Sequence, residues 1–584
     1  MQETSTQKAV LWSLAGVLFV CLGGLCFFEI QSLWTYGHNG FNTATYAHAA
    51  RNMLWHDTWG LAKYHYGFEA PPNSEYYTRH PYLLSYFTAA LYAVFGHHGS
   101  ELIARIVPIA FTVLSGGAIF ELLRRHRSLH AAVFGLAVFT LMPVITIFAP
   151  MLDHEQGCFF FSLLYVGLYI AWLKNPDWKT FVGVLVTATL SVQYDWTGYY
   201  MALPVALHAF GYGIWKADKL LTWRREYTFV AVFSAVILVN FGGFLWAMGQ
   251  LAGGFDLLTA GFDQRSQWPA GYLEDLVQDA DKMFTYPLLT IAALWLLRLP
   301  YRWMTGQARL FDFIPLVFLW AQGIRSFVFA QAGFIHIYWI YYATAFVALA
   351  SGDLFTDLLR AAGKYVEDRG AKWRLAANVT LYAGAAALIL GVGPHSLETF
   401  AAGRAKGGSV RLPLDLPRNR DIRLARRVGK HVDKGWLLVH QSVDSSLPQT
   451  RWYWEQPIRR TFRLSNFRTE FDGRRVSGVL FDLRKVDVEK LGRALQNHPS
   501  VAIDGTFLLI KLNRAGSEIS AERLVPSEPT LAYKYWTSHR VHEPGTWRPD
   551  EVTRARLLEI QSGKQSKPSS KSEMAGGNGG EGFR

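Results

Sequence analysis

Apolar blocks about one bilayer crossing long recur along the chain, near residues 9–30, 101–123, 131–150, 156–173, 180–194, 197–215, 227–248, 284–298, 311–329, 335–352 and 376–394. Most are roughly 17–22 residues, the length an α-helix needs to cross the hydrocarbon core. Backbone N–H and C=O groups find no water there, so such runs fold as helices that satisfy themselves. The rest of the composition agrees: of 584 residues, 51% are hydrophobic and only 18% charged. A soluble chain of this length divides into several domains of higher charge. The expectation is an α-helical polytopic membrane protein of about eleven transmembrane helices. The runs at 180–194 and 284–298 are short enough to tilt or break.

The loops sort by charge. Those at 124–130, 174–179, 216–226, 298–310 and 353–375 carry about seventeen Lys and Arg, and the loops on the other side about five. Lys and Arg accumulate on the cytoplasmic side, which places the N-terminus inside and the C-terminus outside. The first run lacks a small-x-small cleavage site and is longer than a signal h-region, so it reads as a retained signal anchor. Cys21, Cys26 and Cys158 all lie in apolar runs, which excludes a disulfide framework in the hydrophilic parts.

Three regions follow: a membrane domain over 1–394 with a long first outer loop at 31–100, an outward-facing soluble α/β domain over 395–560, and a disordered tail over 561–584. From 395 onward the chain holds 33 Lys and Arg against 21 Asp and Glu, nearly all of its formal +13. The runs "GWLLVH", "VSGVLFDL" and "TFLLIKLN" are short and apolar as strands are, and "DVEKLGRALQNH" is helical in pattern. The Gly-, Ser- and Lys-rich tail has too little apolar surface to order itself. There is no Walker-type loop, solenoid repeat or metal-finger spacing, and no sign of nucleic-acid binding.

Ionisable residues gather on the outer side. "MLDHEQ" at 151–156 sets Asp153, His154 and Glu155 in a tight turn between two greasy runs, and "QYDWTGYY" sets Asp195 in another. In the first outer loop, 42–55 has helical periodicity with Tyr46, Ala50 and Leu54 on one face, and 81–95 is a short aromatic helix. Both read as helices lying in the membrane interface. Asn42, Arg51, Arg79, His80, Asp153, Glu155 and Asp195 would then meet at one lipid–water boundary. The bland readings stand beside this: Arg51 as a helix anchor, Arg105 snorkelling to headgroups, Asp195 as a turn former, His336 as an ordinary helix-end histidine, and "MLDHEQ" as a solvated loop. The Asp-x-Glu pair also suits a divalent cation.

The order of "FNTATYAHAARNML", "YYTRHPYLLSYFTAALYAVFG", "ELIARIVPIAFTVLSGGAIFELLRRH" and "MLDHE" resembles the GT-C superfamily of integral-membrane glycosyltransferases, over roughly residues 10–350. The nearest branch is that of protein O-mannosyltransferases and lipid A aminoarabinose transferases. The resemblance implies an enzyme of the inner or plasma membrane. It would move a hexosyl or pentosyl group, with inversion, from a polyprenyl-phosphate donor to a hydroxyl on a glycan, lipid or protein acceptor at the outer face. Family members carry an acid where this chain has Asn42. An amide cannot act as a base, so the base role falls to Asp153, at the family's second acidic position, with Glu155 and His154 assisting. Arg79, His80 and Tyr77, in and before "TRHP", match the place of the donor phosphate. Arg325 and His336 look like late polar contacts that close such a site. Two other functions remain open at this level: a flippase for a lipid-linked sugar, which calls for a polar path at mid-membrane, and a non-catalytic assembly protein, which Asn42 favours.

Overall fold

A computed structural model describes residues 4–522 apart from 29, 31–33, 35–36, 58–79, 96–99, 216–224, 253–255, 367–370, 406–416 and short stretches after 433. Tyr77, Arg79, nearly all of the helical stretch at 487–498 and the tail at 561–584 lie outside the described residues. The chain divides into two compact units, one running through Arg423 and including Leu447–Trp452, the other formed by the remainder.

The first unit is helical. Its elements are α1 Ser5–Phe27, α2 His38–His56, α3 Leu83–Phe95, α4 Glu101–His126, α5 Leu129–Leu141, α6 Pro143–Phe148, α7 His154–Lys174, α8 Trp178–Tyr194, α9 Thr197–Trp215, α10 Arg225–Ala252, α11 Asp256–Arg265, α12 Tyr272–Phe284, α13 Tyr286–Met304, α14 Phe313–Gly323, α15 Ala330–Ile335, α16 Ala343–Tyr365 and α17 Ala371–Ala405. Polar caps begin several of them. Thr4 and Gln7 form a reciprocal box at α1, and the hydroxyls of Ser100 and Ser128 accept from backbone N–H groups of α4 and α5. Each satisfies N–H groups that a helix start leaves without partners. The helices pack as a bundle with α5 against α4 and α16, α7 against α4 and α8, α9 against α10 and α14, and α13 against α16.

All eleven apolar runs lie on helical backbone, but among the described residues only six helical stretches are long and apolar enough to span alone. The count becomes seven if α12 and α13, bent by 102°, form one broken span. The shortfall has local causes. The run at 131–150 breaks at Met142, whose extended backbone precedes Pro143 at the first turn of α6; a residue before proline disfavours the helical region. The helix α8 is only 17 residues, and α16 carries Asp353, Asp357 and Arg360. The last run continues through 394 to Ala405. In the first loop, α2 is packed on nearly every side from Thr43 to Met53, well beyond the single face that its periodicity suggests.

The described part of the second unit is a mixed sheet with one helix. Strands β1 Trp436–His440, β2 Ile458–Thr461, β3 Glu470–Phe471, β4 Arg474–Asp482, β5 Ser500–Ile503, β6 Phe507–Lys511 and β7 Ile519–Glu522 run in the order β2-β1-β4-β6-β5-β7, with β3 paired to β4. β1 is parallel to β2 and β4, and β6 is antiparallel to β4 and β5. The three β-type sequence runs are β1, β4 and β6. Their inward residues Leu437, Val439, Leu480 and Leu509 form a core with Leu424 and Val428 of a preceding helix.

Candidate active site

The carboxylates of "MLDHEQ" and "QYDW" meet because two helix ends meet. Asp153 ends the turn after α6 and caps α7, its Oδ1 accepting from the His154 N–H at 2.8 Å. Asp195 follows the last residue of α8. α7 and α8 lie very close where Gly157 faces the Tyr194 ring; a Cβ added at Gly157 would sit 2.2 Å from that ring. The same approach lets His154 Nδ1–H donate to the Tyr194 carbonyl at 2.7 Å.

Asn42 is delivered by α2. Asn39 Nδ2 donates to the Ile147 carbonyl at 2.9 Å, and the Leu152 N–H donates to the Thr43 hydroxyl at 3.1 Å, so two neighbours of Asn42 staple α2 to the segment ahead of Asp153. Asn42 Nδ2 then donates to Asp153 Oδ2 at 2.5 Å and to the Tyr338 hydroxyl at 2.8 Å.

Arg325 arrives from a third direction. α14 ends in a π turn, Ile324–Val328. Such turns displace one residue from the α-helical register and gather at functional sites. One carbonyl in the widened turn, that of Ser326, accepts from the Tyr272 hydroxyl of α12 at 2.8 Å. Arg325 Nη2 donates to Glu155 Oε1 at 2.6 Å, and Nη1 donates to Asp195 Oδ2 at 3.0 Å and to the Thr197 hydroxyl at 2.8 Å. The guanidinium lies over Trp339 and Tyr342, 4.2 and 5.0 Å from the ring centroids. His80 completes the cluster: its Nδ1 bonds Asp195 Oδ1 at 3.2 Å, and its ring stacks on that of His154 at 4.5 Å.

The carboxylates therefore differ in state. Asp195 is fully engaged by Arg325, Thr197, His80 and Tyr342. Burial alone would raise its pKa, but the His80 hydrogen bond and the Arg325 charge outweigh that and hold it below the usual carboxylate range. Glu155 has one oxygen on Arg325, while Oε2 is buried with no hydrogen-bond partner. Asp153 has no cation in contact among the described residues. Burial lifts its pKa to about 6, with the Asp195 charge adding to the rise and the His154 N–H and the Asn42 amide opposing it. Burial also lowers the His80 pKa, against the Asp195 hydrogen bond that favours its charged form.

The remaining sequence candidates fall elsewhere. Arg51 is fully buried about two and a half helical turns from Asn42, between Trp55 and Trp452, with Nη2 on His48 Nδ1 at 2.9 Å. Arg105 is buried and donates to the Ile30 carbonyl. The His336 ring contacts those of His38, Tyr338 and Trp339, and its Nδ1 has no partner. Among the described residues no three His, Cys, Asp or Glu side chains converge as a metal would require. The Asp153 and Glu155 carboxylates face Asn42 and Arg325.

A profile of the dolichyl-phosphate-mannose-protein mannosyltransferase family matches residues 79–242, which contain His80, Asp153, Glu155 and Asp195. Among solved structures, ArnT from Cupriavidus metallidurans bound to undecaprenyl phosphate superposes with a TM-score of 0.56 at 15% identity, covering 88% of this chain and 100% of that one. The archaeal oligosaccharyltransferase AglB from Archaeoglobus fulgidus, in complex with an inhibitory peptide and a dolichol-phosphate, superposes at 0.50 and 10% identity, covering 85% and 73%. The chain has the GT-C glycosyltransferase fold. Comparison with curated protein sequences finds no match.

Within the GT-C frame, sequence reasoning missed Tyr338, Thr197, Tyr342 and Trp339. Three of these sit in "HIYWIYY", an aromatic run that reads equally well as an interfacial belt. Ile337–Tyr342 is a 3₁₀ helix, in which residues four apart do not share a face, so the spacing of Tyr338 and Tyr342 gave no usable signal.

Proposed function

We propose that this protein is an inverting glycosyltransferase that takes a sugar from a polyprenyl-phosphate donor and places it on an acceptor hydroxyl, with Asp153 as the general base. The site would face the outer side of the inner or plasma membrane, with the N-terminus cytoplasmic. The observation that carries the reading is the division of labour among the carboxylates. Glu155 and Asp195 hold Arg325, whereas Asp153 has no ion pair among the described residues and is kept in place by the Asn42 amide. A base needs a pKa near working pH and a carboxylate free to take a proton. Asp153, lifted to about 6 by burial, meets both needs.

The leaving group is a phosphate whose charge grows as the glycosidic bond breaks, so donors must meet it. Arg325 Nε is buried and has no partner among the described residues, which leaves one guanidinium donor for a phosphate oxygen. Arg79, next to His80 in the chain, is proposed as the second cation.

The test is transfer from a polyprenyl-phosphate sugar by membranes carrying Asp153→Asn, at matched protein level. Loss of transfer by about 10²–10⁴-fold, with lipid-phosphate binding retained, is the expected result. Undiminished transfer would remove Asp153 from the base role. In the parent protein kcat should climb with pH through about 6 and level off above it, because only the ionised carboxylate accepts a proton. A profile flat from pH 5 to 8 would contradict the assignment.

A further inference from the structure

A second charged cluster lies at the far end of the bundle. Five arginines meet three aspartates there: Arg127 after α4, Arg298 and Arg302 on α13, Arg309 before α14 and Arg360 on α16, against Asp312, Asp353 and Asp357. Asp353 is fully buried and is held by Arg127, by Arg298 at 2.7 Å, by Arg302 at 3.3 Å and by the Trp295 N–H at 2.7 Å. Asp357 bonds Arg127 and, at 2.6 Å, Arg298. These contacts already use both oxygens of each carboxylate. Arg309 approaches Asp357 at 3.3 Å and Asp353 at only 3.6 Å, Arg360 approaches Asp357 at 3.6 Å, and their side chains are 35% and 51% exposed. Among the described residues none of the five has another carboxylate partner.

The inventory is unbalanced. Five guanidiniums offer roughly twenty-five N–H donors, and three carboxylates about twelve lone-pair sites. Two positive charges are left over at the rim. The same ends of α13 and α16 expose Leu297, Tyr301, Met304 and Tyr365, each at least 60% accessible. Apolar and aromatic surface beside an arginine rim has the character of a bilayer boundary, with room for acyl chains below and a phosphate at the rim.

We propose that this rim binds the headgroup of an anionic phospholipid of the phosphatidylglycerol class, with Arg309 and Arg360 holding the phosphate and the exposed side chains of α13 and α16 meeting its acyl chains. The site is separate from the carboxylate cluster: along α16, Arg360 lies about 27 Å from Tyr342.

Native mass spectrometry of the full chain released from detergent micelles tests this, with dioleoylphosphatidylglycerol, dioleoylphosphatidylcholine or inorganic phosphate added. Phosphatidylglycerol should be retained over phosphatidylcholine. Arg309→Gln with Arg360→Gln should weaken that retention about thirtyfold, about fivefold for each arginine. The pair keeps Asp353 with Arg127, Arg298 and Arg302, and the thermal midpoint reports whether it is folded. Arg360→Gln alone, at a half-exposed position that does not touch Asp353, serves if the pair is not. Equal retention of the two lipids, or retention unmoved by the variants, overturns the proposal. Full displacement of the lipid by millimolar phosphate also overturns it, since the site would then hold a free anion.

Discussion

An amide nitrogen 2.5 Å from Asp153 Oδ2 favours the ionised carboxylate, whereas a second carboxylate at that distance would oppose it. Asn42→Asp should therefore raise the Asp153 pKa and move the acid limb of the pH–rate profile up by about one unit or more. A profile with an unmoved limb would show that the Asn42 amide does not tune the base. Arg325 is equally specific in its geometry, because two separate nitrogens reach Glu155 and Asp195. A lysine ammonium cannot span both. Arg325→Lys leaves a buried carboxylate without its partner and should cost about 3–5 kcal/mol of stability, read as a lowered thermal midpoint in detergent. Of this constellation the sequence disclosed the charged members, because ionisable groups beside greasy runs stand out. It did not disclose Tyr338 or Thr197, since a buried tyrosine or threonine looks the same whether it binds a neighbour or fills space.

At the scale of elements, glycine positions decide how near the site-bearing helix ends come. A Cβ at Gly198 would lie 2.8 Å from backbone atoms of Ser191 and Val192, while the nearest atoms to one at Gly157 belong to the Tyr194 ring. Backbone cannot swing aside as a side chain can. Gly198→Ala should thus lower the thermal midpoint more than Gly157→Ala, each within or above the 1–3 kcal/mol typical of overpacking. Tyr194→Ala should rescue the second variant and not the first. Helices are also where the sequence was most readable, because the bilayer imposes a length on every apolar run. The elements it did not reveal are α11 and α12, short helices in a segment that alternates polar and apolar residues without reaching spanning length. That omission hid the support that Tyr272 gives the π turn carrying Arg325.

Over the whole first unit, polar clusters sit at opposite ends of the same helices. α14 carries Asp312 just before its start and Arg325 just after its end, and α16 carries Asp353 one side and follows Tyr342 on the other. Removing charge from Asp353 strands several guanidiniums around a buried point. Asp353→Asn should destabilise the unit by about 3–5 kcal/mol, and added salt should change this little because the pair is shielded from solvent ions. A midpoint shift that vanishes at high salt would place the network on the surface instead. The far cluster was legible only as loop charge: "RRHRSLH" and the 298–310 and 353–375 segments marked one side of the membrane, but their pairing required the fold to bring α13 and α16 together.

Asp153 also answers two unrelated demands at one position, since it begins α7 as well as holding the proposed proton-accepting group. A helix start accepts Asn or Ser about as readily as Asp; proton abstraction does not. A lineage with no further use for the transferred sugar could lose this carboxylate by a single-nucleotide change and pay nothing in folding. Its descendants would still insert, pack and hold lipid while transferring nothing. In a collection of related genes, the letter at this one place would then separate working transferases from retired ones before any of them is purified.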